Sequence, residues 1–263
     1  MKNLTSSATP AVKPREDEPG EFLTSQHLTA IGFETDELRQ QAQIIADDFH
    51  FVIDNQVLPR LSVTADKLVL LTEDFSPLFV DFNSVSVQKR RDEGKKQGLV
   101  RACKPIKGMR ILDVTAGWGR DAAVLASFGA EVLMLERQPI MAALLSDGLN
   151  RLSSDVSFML SLQHVDAKHY LQTLPKAEYP DVIYIDPMHP ARQKAALVKK
   201  DMQILQRLIG EDDDVNALIQ LAILRTRQRV VVKWPQRLPA LLKPDASVTG
   251  KTVRFDIYTS KSV

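Results

Sequence analysis

The stretch from Gly108 to Leu145 constrains this chain more than any other: GMRILDVTAGWGRDAAVLASFGAEVLMLERQPIMAALL. Met109 to Val114 is a short apolar run that stops at a glycine-bearing turn, Thr115-Ala116-Gly117-Trp118-Gly119. A helical pattern follows, with Ala122, Ala123, Leu125, Ala126 and Phe128 apolar and Gly129 as its stop. A second apolar run, Glu131 to Leu135, closes on Glu136. Apolar runs without polar alternation are buried parallel strands, and the helix between them is the crossover that joins them. The unit is one half of a doubly wound nucleotide-binding sheet.

The chemistry of the turn follows from its residues. Gly117 and Gly119 let the backbone approach a ligand with no Cβ in the way. Glu136, 23 positions after Asp113, ends the second strand where a carboxylate can take both ribose hydroxyls of an adenosine. The spacing Gly117-x-Gly119-x-x-Ala122 also satisfies the dinucleotide fingerprint, so glycines alone leave the cofactor open. Two features lean away from a dinucleotide. Asp113 ends the first strand, where it can meet a cationic amino group. Arg120-Asp121 then opens the helix and puts a carboxylate where a pyrophosphate would sit. A zwitterionic amino-acid tail suits that pair better than two phosphates, which points to S-adenosylmethionine. A glycine turn that only makes a tight corner would look similar.

The rest of the chain extends the pattern. Residues 1–20 are rich in Pro, Ser and charge and read as a disordered tail. Residues 21–83 read as a small α+β N-terminal subdomain, with a helix over Glu34–Phe49 and short strands over Val57–Val63, Lys67–Thr72 and Leu78–Phe82. Residues 84–108 read as a basic connecting segment, mobile or ordered by ligand. Net charge is +1 overall, yet residues 89–110 hold nine Lys and Arg against Asp92 and Glu93. Such a block, with Arg90, Arg91, Lys95 and Lys96 in it, is the footprint of a limited phosphate contact or else a solvated face. Residues 109–263 form the main domain: a helix from Pro139 to Leu152, strands over Ser157–His164, Asp181–Ile185 and Arg229–Lys233, and a final hairpin of Ser247–Thr249 with Arg254–Thr259. Asp166-Ala167 follows the third strand, where the Asp can accept from an adenine amino group or simply cap the next helix. Seven strands with an antiparallel pair last describe an α/β, Rossmann-like class I methyltransferase sheet rather than a dehydrogenase.

Composition excludes several classes. No apolar run reaches membrane-spanning length, and the start MKNLTSSATP has no signal core, so a cytoplasmic protein is expected. The single cysteine, Cys103, allows no internal disulfide and no zinc cluster, and it reads as a small buried or partly exposed thiol rather than a nucleophile. The acid run Glu211 to Asp214 reads as cap and dipole partner of a helix over Val215–Leu224, so no metal is expected.

The fourth strand runs straight into Asp186-Pro187-Met188-His189-Pro190. Strand carboxyl ends face the ligand in a doubly wound sheet, so Asp186 should share a cleft with Gly117. The prolines fix the loop and remove N–H donors, leaving carbonyls to accept. A carboxylate beside a carbonyl suits an –NH₂ group that must be held and oriented. Asp/Asn-Pro-Pro-aromatic at this place marks enzymes that methylate exocyclic or amide nitrogens. Here Met188 replaces the second proline, and His189 stands at the aromatic position, where its flat ring can stack on a base. A rigid proline turn is the plainer alternative.

With those residues placed, the chain resembles a known family: the bacterial small-subunit rRNA guanine-N2 methyltransferases that act in the 3′-terminal hairpin of 16S rRNA. The matching words are VDF (80–82), Arg90-Arg91, D-x-T-A-G-x-G-R-D (113–121), MLER (134–137), ALL-x-DGL (143–149), Y-x-DPM-x-P (184–190), K-x-ALVKK-x-M (194–202), RVVVK-x-P (229–235) and RFDIY (254–258). They cover roughly residues 78–263, and residues 1–60 match poorly. The resemblance implies S-adenosylmethionine as donor, a guanine exocyclic amine as acceptor, and 16S rRNA or the small ribosomal subunit as partner. It implies cofactor contacts at Arg120-Asp121, Glu136-Arg137, Asp166-Ala167 and Asp186. His189 replaces the Phe of the family's DPMFP. Asp186, Pro187 and His189 are the candidate catalytic residues, and Lys194, Lys199 and Lys200 join the basic block as candidate RNA contacts. The competing readings are a DNA or protein-amide nitrogen methyltransferase, a non-catalytic RNA-binding relative, and a nucleotide-dependent dehydrogenase.

Overall fold

The computed structural model describes residues 30–73, 75–152, 159–187 and 215–261, with Lys95 described by its backbone alone. Seven strands form the main sheet: β5 (Arg110–Asp113), β6 (Glu131–Glu136), β7 (Met159–His164), β8 (Val182–Ile185), β9 (Arg229–Pro235), β10 (Ala246–Thr249) and β11 (Val253–Thr259). Their order is β10-β11-β9-β8-β5-β6-β7; β11 is antiparallel to both its neighbours, and the remaining pairs are parallel. The expected sheet is therefore present, with the antiparallel pair at one edge.

Alternation along the strands builds a core on each face of this sheet. Ile111, Val132, Met134, Val182, Tyr184 and Val231 point to one side. There they meet α4 (Arg120–Ala126) and α5 (Pro139–Asn150). Leu112, Leu135, Ile183, Ile185, Val230 and Val232 point to the other, against α6 (Ala167–Thr173) and α7 (Val215–Leu224).

The N-terminal elements differ from the sequence expectation in detail. The expected helix is a 3-10 turn (Asp36–Leu38) running into α1 (Arg39–Phe49). Two strands escaped the sequence reading: β1 (Ala30–Phe33) and β2 (Val52–Ile53). Both are too short for a period to register, and Gly32 interrupts the first. They join β3 (Arg60–Val63) and β4 (Leu68–Leu71) in a four-stranded sheet, order β2-β1-β3-β4. The third expected strand, Leu78–Phe82, contributes one bridge, Leu70 to Leu78. Its remaining residues serve packing instead: Val80 and Phe82 are buried in the core that α4 and α5 share.

The segment 84–108 carries helices, which its charge did not announce. Here lie α2 (Val85–Glu93), a 3-10 turn (Gly94–Lys96) and α3 (Gly98–Cys103). Ser84 starts α2 by accepting from the Val87 N–H. The helix α3 buries Leu99, Val100, Ala102 and Cys103, so the thiol is a core group, as read. The expected tail at 1–20 and the acid run 211–214 lie outside the described residues.

Gly148 marks where the N-terminal chain meets the main sheet's helices. A Cβ there would lie 2.5 Å from Val80 Cγ1 and 3.2 Å from Phe82 Cε2. Gly148→Val should therefore destabilise the protein by about 1–3 kcal/mol, the usual cost of overpacking a filled core. A urea midpoint equal to that of the wild type would show that the contact yields freely.

Candidate functional site

The carboxyl ends of β5, β6, β8 and β9 lie side by side, and each carries or delivers one ionisable group. Those groups are Asp113, Glu136, Asp186 and Lys233. Each stands two positions beyond an apolar residue of the α4/α5 core, after Ile111, Met134, Tyr184 and Val231. Period-two alternation therefore turns the strand ends of β5, β6 and β9 toward the face from which α4 begins.

The turn Thr115–Gly119 closes over these ends. Gly117 and Gly119 both have positive φ, 51° and 68°, a conformation glycine adopts without strain. Gly119 also leaves room for Phe82 and Leu145, which a Cβ would approach to 2.7 and 2.9 Å. Its absence of a side chain thus serves packing as well as approach. Asp113 is 1% exposed, and its Oδ1 accepts from the Thr115 N–H at 3.0 Å. Burial, with Asp121 and Asp186 nearby, pushes its carboxyl up to about 8, against the pull of the Thr115 N–H and Lys233. Glu136 is also buried, and burial raises it. Its oxygens accept from the Gly117 N–H at 3.2 Å and the Gln138 N–H at 2.8 Å. One carboxylate thereby ties the turn to the end of β6.

Asp121 lies at the centre of a charged cluster. Its Oδ1 pairs with Arg90 Nη2 at 2.6 Å. Its Oδ2 accepts from Lys233 Nζ at 3.0 Å and from the buried Tyr184 hydroxyl at 2.5 Å. Burial alone would raise this carboxyl; Lys233, Arg90 and the Tyr184 hydroxyl outweigh that and hold it well below the usual range. Lys233 Nζ also reaches Asp186 Oδ2 at 2.7 Å. The Asp186 N–H donates to Thr115 Oγ1 at 2.7 Å. Turn, helix start and Asp-Pro corner are thus one connected unit.

The structure brings together Asp113, Gly117, Gly119, Asp121, Glu136 and Asp186 from the sequence-predicted set. Arg120 is the first residue of α4, and Pro187 is buried beside Asp186. Arg137 is exposed just past β6, and His164 Nε2 lies 3.3 Å from its carbonyl. Asp166 is exposed and caps α6, accepting from the His169 N–H at 3.0 Å, with Ala167 next. Arg90, about a third exposed, pairs with Asp121, and its Nε donates to Gln97 Oε1 at 3.2 Å. Arg91 and Lys96 are exposed. His189, Lys194, Lys199 and Lys200 lie outside the described residues. Sequence reasoning missed Thr115, Tyr184 and Lys233 as site residues. A lysine ending the apolar strand RVVVK was the available signal, since a cation rarely closes a buried run without a partner.

Chemically, buried carboxylates beside a glycine turn suit a ligand with a cationic amino group and hydroxyls. A pyrophosphate at the start of α4 would face the Asp121 carboxylate. Comparison with known proteins agrees. Residues 44–260 match the family model described as a SAM-dependent methyltransferase. A ribosomal RNA small subunit methyltransferase J from Legionella pneumophila (strain Corby) is 56% identical over 233 residues, covering 88% of this chain and 96% of the relative. One from Coxiella burnetii (strain Dugway 5J108-111) is 49% identical over 195 residues, covering 70% and 76%. In fold, the chain matches the crystal structure of a SAM-dependent methyltransferase from Neisseria gonorrhoeae. The TM-score is 0.69 at 31% identity, over 89% of this chain and 97% of that one.

Asp113 gives the free protein a pH dependence whose sign is determined. Its carboxyl moves from an ordinary 3.8 to about 8 on folding, so between those values the native state holds a proton that the unfolded chain releases. Stability must fall as pH rises through that window. Asp113→Asn, which cannot ionise, should lose this component and be more stable than wild type at pH 8.5, with the difference shrinking steadily as pH falls toward 3.8. Parallel urea curves for both proteins across that range would refute the assignment.

Proposed function

This chain belongs to the SAM-dependent methyltransferase family, beside the ribosomal RNA small subunit methyltransferases J, and from that premise we propose its reaction. It transfers the methyl group of S-adenosylmethionine to the exocyclic N2 amine of a guanine in the 3′-terminal hairpin region of 16S rRNA. The observation that carries this reading is the hydrogen bond from the Asp186 N–H to Thr115 Oγ1. It joins the corner that would hold an amine to the turn that would hold the donor.

The chain's own residues fit the donor. Asp113 would meet its amino group, and Glu136 its ribose hydroxyls. Gly117 and Gly119 open the turn, and Arg120, Asp121, Arg137 and Asp166-Ala167 complete the contacts. When bound, S-adenosylmethionine supplies a methyl carbon made electrophilic by its sulfonium. The target guanine must leave its stack to reach the cleft. Asp186 and the Pro187 carbonyl then accept hydrogen bonds from its amine and turn the nitrogen lone pair toward the methyl carbon. The N–C bond forms as the C–S bond breaks, and the nitrogen sheds a proton. Placement of this kind is worth roughly 7–11 kcal/mol. His189 would stack on the base, and Arg91, Lys95, Lys96, Lys194, Lys199 and Lys200 would hold phosphates. A cytoplasmic setting accords with that substrate.

The test uses small subunits and rRNA from a strain lacking this protein, with radioactive donor. Label should appear in one guanine of the 3′-terminal hairpin, and Asp186→Ala, shown to be folded by its circular dichroism, should lower the rate by roughly 10²–10³-fold. Normal turnover by that variant, or label confined to DNA or protein, would reject the reading.

A further inference from the structure

Lys233 sits where no reading of the motifs placed a function. Its ammonium lies 2.7 Å from Asp186 Oδ2 and 3.0 Å from Asp121 Oδ2. The side chains of all three are largely enclosed, with relative exposures of 21%, 19% and 13%. The register explains the meeting. In the parallel pair β8 and β9, Ile185 lies beside Val232, so the next residues become neighbours: Asp186 just past the end of β8 and Lys233 still within β9.

We propose that Lys233 is a positioning residue for methyl transfer: it fixes the amine-holding carboxylate of Asp186 against the donor-side carboxylate of Asp121. The proposal rests on the reading that Asp186 holds the acceptor amine. Two carboxylates brought this close repel, and the repulsion is strong where water is scarce. An ammonium has three donors and no acceptor, so one lysine can bind both at charge-assisted distances. Arg90 neutralises the second negative charge through the other oxygen of Asp121. Asp121 and Asp186 are thereby balanced by Arg90 and Lys233. Thr115 holds Asp186 at its backbone, and Lys233 reaches its side chain. Without Lys233 its carboxylate would turn away from Asp121, and the amine would lose its fixed acceptor. A misplacement of about 1 Å can cost about 100-fold in rate.

The experiment compares full-length wild type, Lys233→Met, Lys233→Arg, Asp186→Asn and the Lys233→Met/Asp186→Asn double variant on undermethylated small-subunit RNA. Lys233→Met should lower kcat by about 100-fold while changing the RNA KM less than about threefold. Lys233→Arg, whose guanidinium can still pair with carboxylates, should recover most of that loss. The double variant should be no slower than Asp186→Asn alone, because Lys233 acts through Asp186. A Lys233→Met enzyme with wild-type kcat, or a double variant whose losses multiply, would overturn the proposal. If Lys233→Met does not fold, the arginine variant carries the test, and a folded arginine variant as slow as Asp186→Asn also overturns it. A wild type that labels no guanine rejects the proposed reaction itself. Guanine labelling that needs Asp186 but not Lys233 rejects only this role.

Discussion

Two carboxylates, Asp121 and Asp186, lie together below a glycine turn with little water to screen them. Their neutralisation by Arg90 and Lys233 is the constraint on which the arrangement of this cleft depends. The four side chains come from α2, the start of α4, the loop after β8 and the end of β9. Partly buried ion pairs of this kind add little net stability, because desolvation offsets most of the attraction. Their effect is geometric. Removing one member leaves an uncompensated charge, so the four elements hold one another in register.

The N-terminal elements enter the same balance. The helix α2 delivers Arg90 to Asp121, while Phe82 fills the space above Gly119 and Val80 that above Gly148. Phe49 of α1 rests on His164 at the end of β7, ring centres 5.4 Å apart. The segment ahead of the main sheet thus packs against the turn and the strand ends from the α4/α5 side. A basic stretch that charge alone would leave as a surface contributes one half-buried arginine to the charged cluster. That use of Arg90 reduces the positive field which the block presents to solvent, while Lys89, Arg91, Lys96, Arg101, Lys104 and Lys107 are exposed.

Local signals were strong where one element announces itself. The run Met109–Val114, the turn, the helix and the acid at Glu136 could be read in order, because apolar period and glycine chemistry act within a few residues. The site carboxylates Asp113, Glu136 and Asp186 were visible as acids ending apolar strands. Weak signals failed for equally physical reasons. β1 and β2 are four and two residues long, too short for a pattern to emerge from their composition. The stretch 84–108 looked mobile because its charges mask α3, whose apolar residues occupy one short helix.

By itself, then, the chain's order of residues determined the parallel α/β sheet, the glycine turn and the acids at the strand ends, since each depends on neighbours in sequence. Only the tertiary structure decided which charges meet. Lys233 lies 47 residues from Asp186 and 112 from Asp121, and no local preference encodes that distance. The parallel register of β8 with β9 and the packing of α2 on α4 create it, because strand pairing and core burial act across the fold whereas propensity acts along the chain.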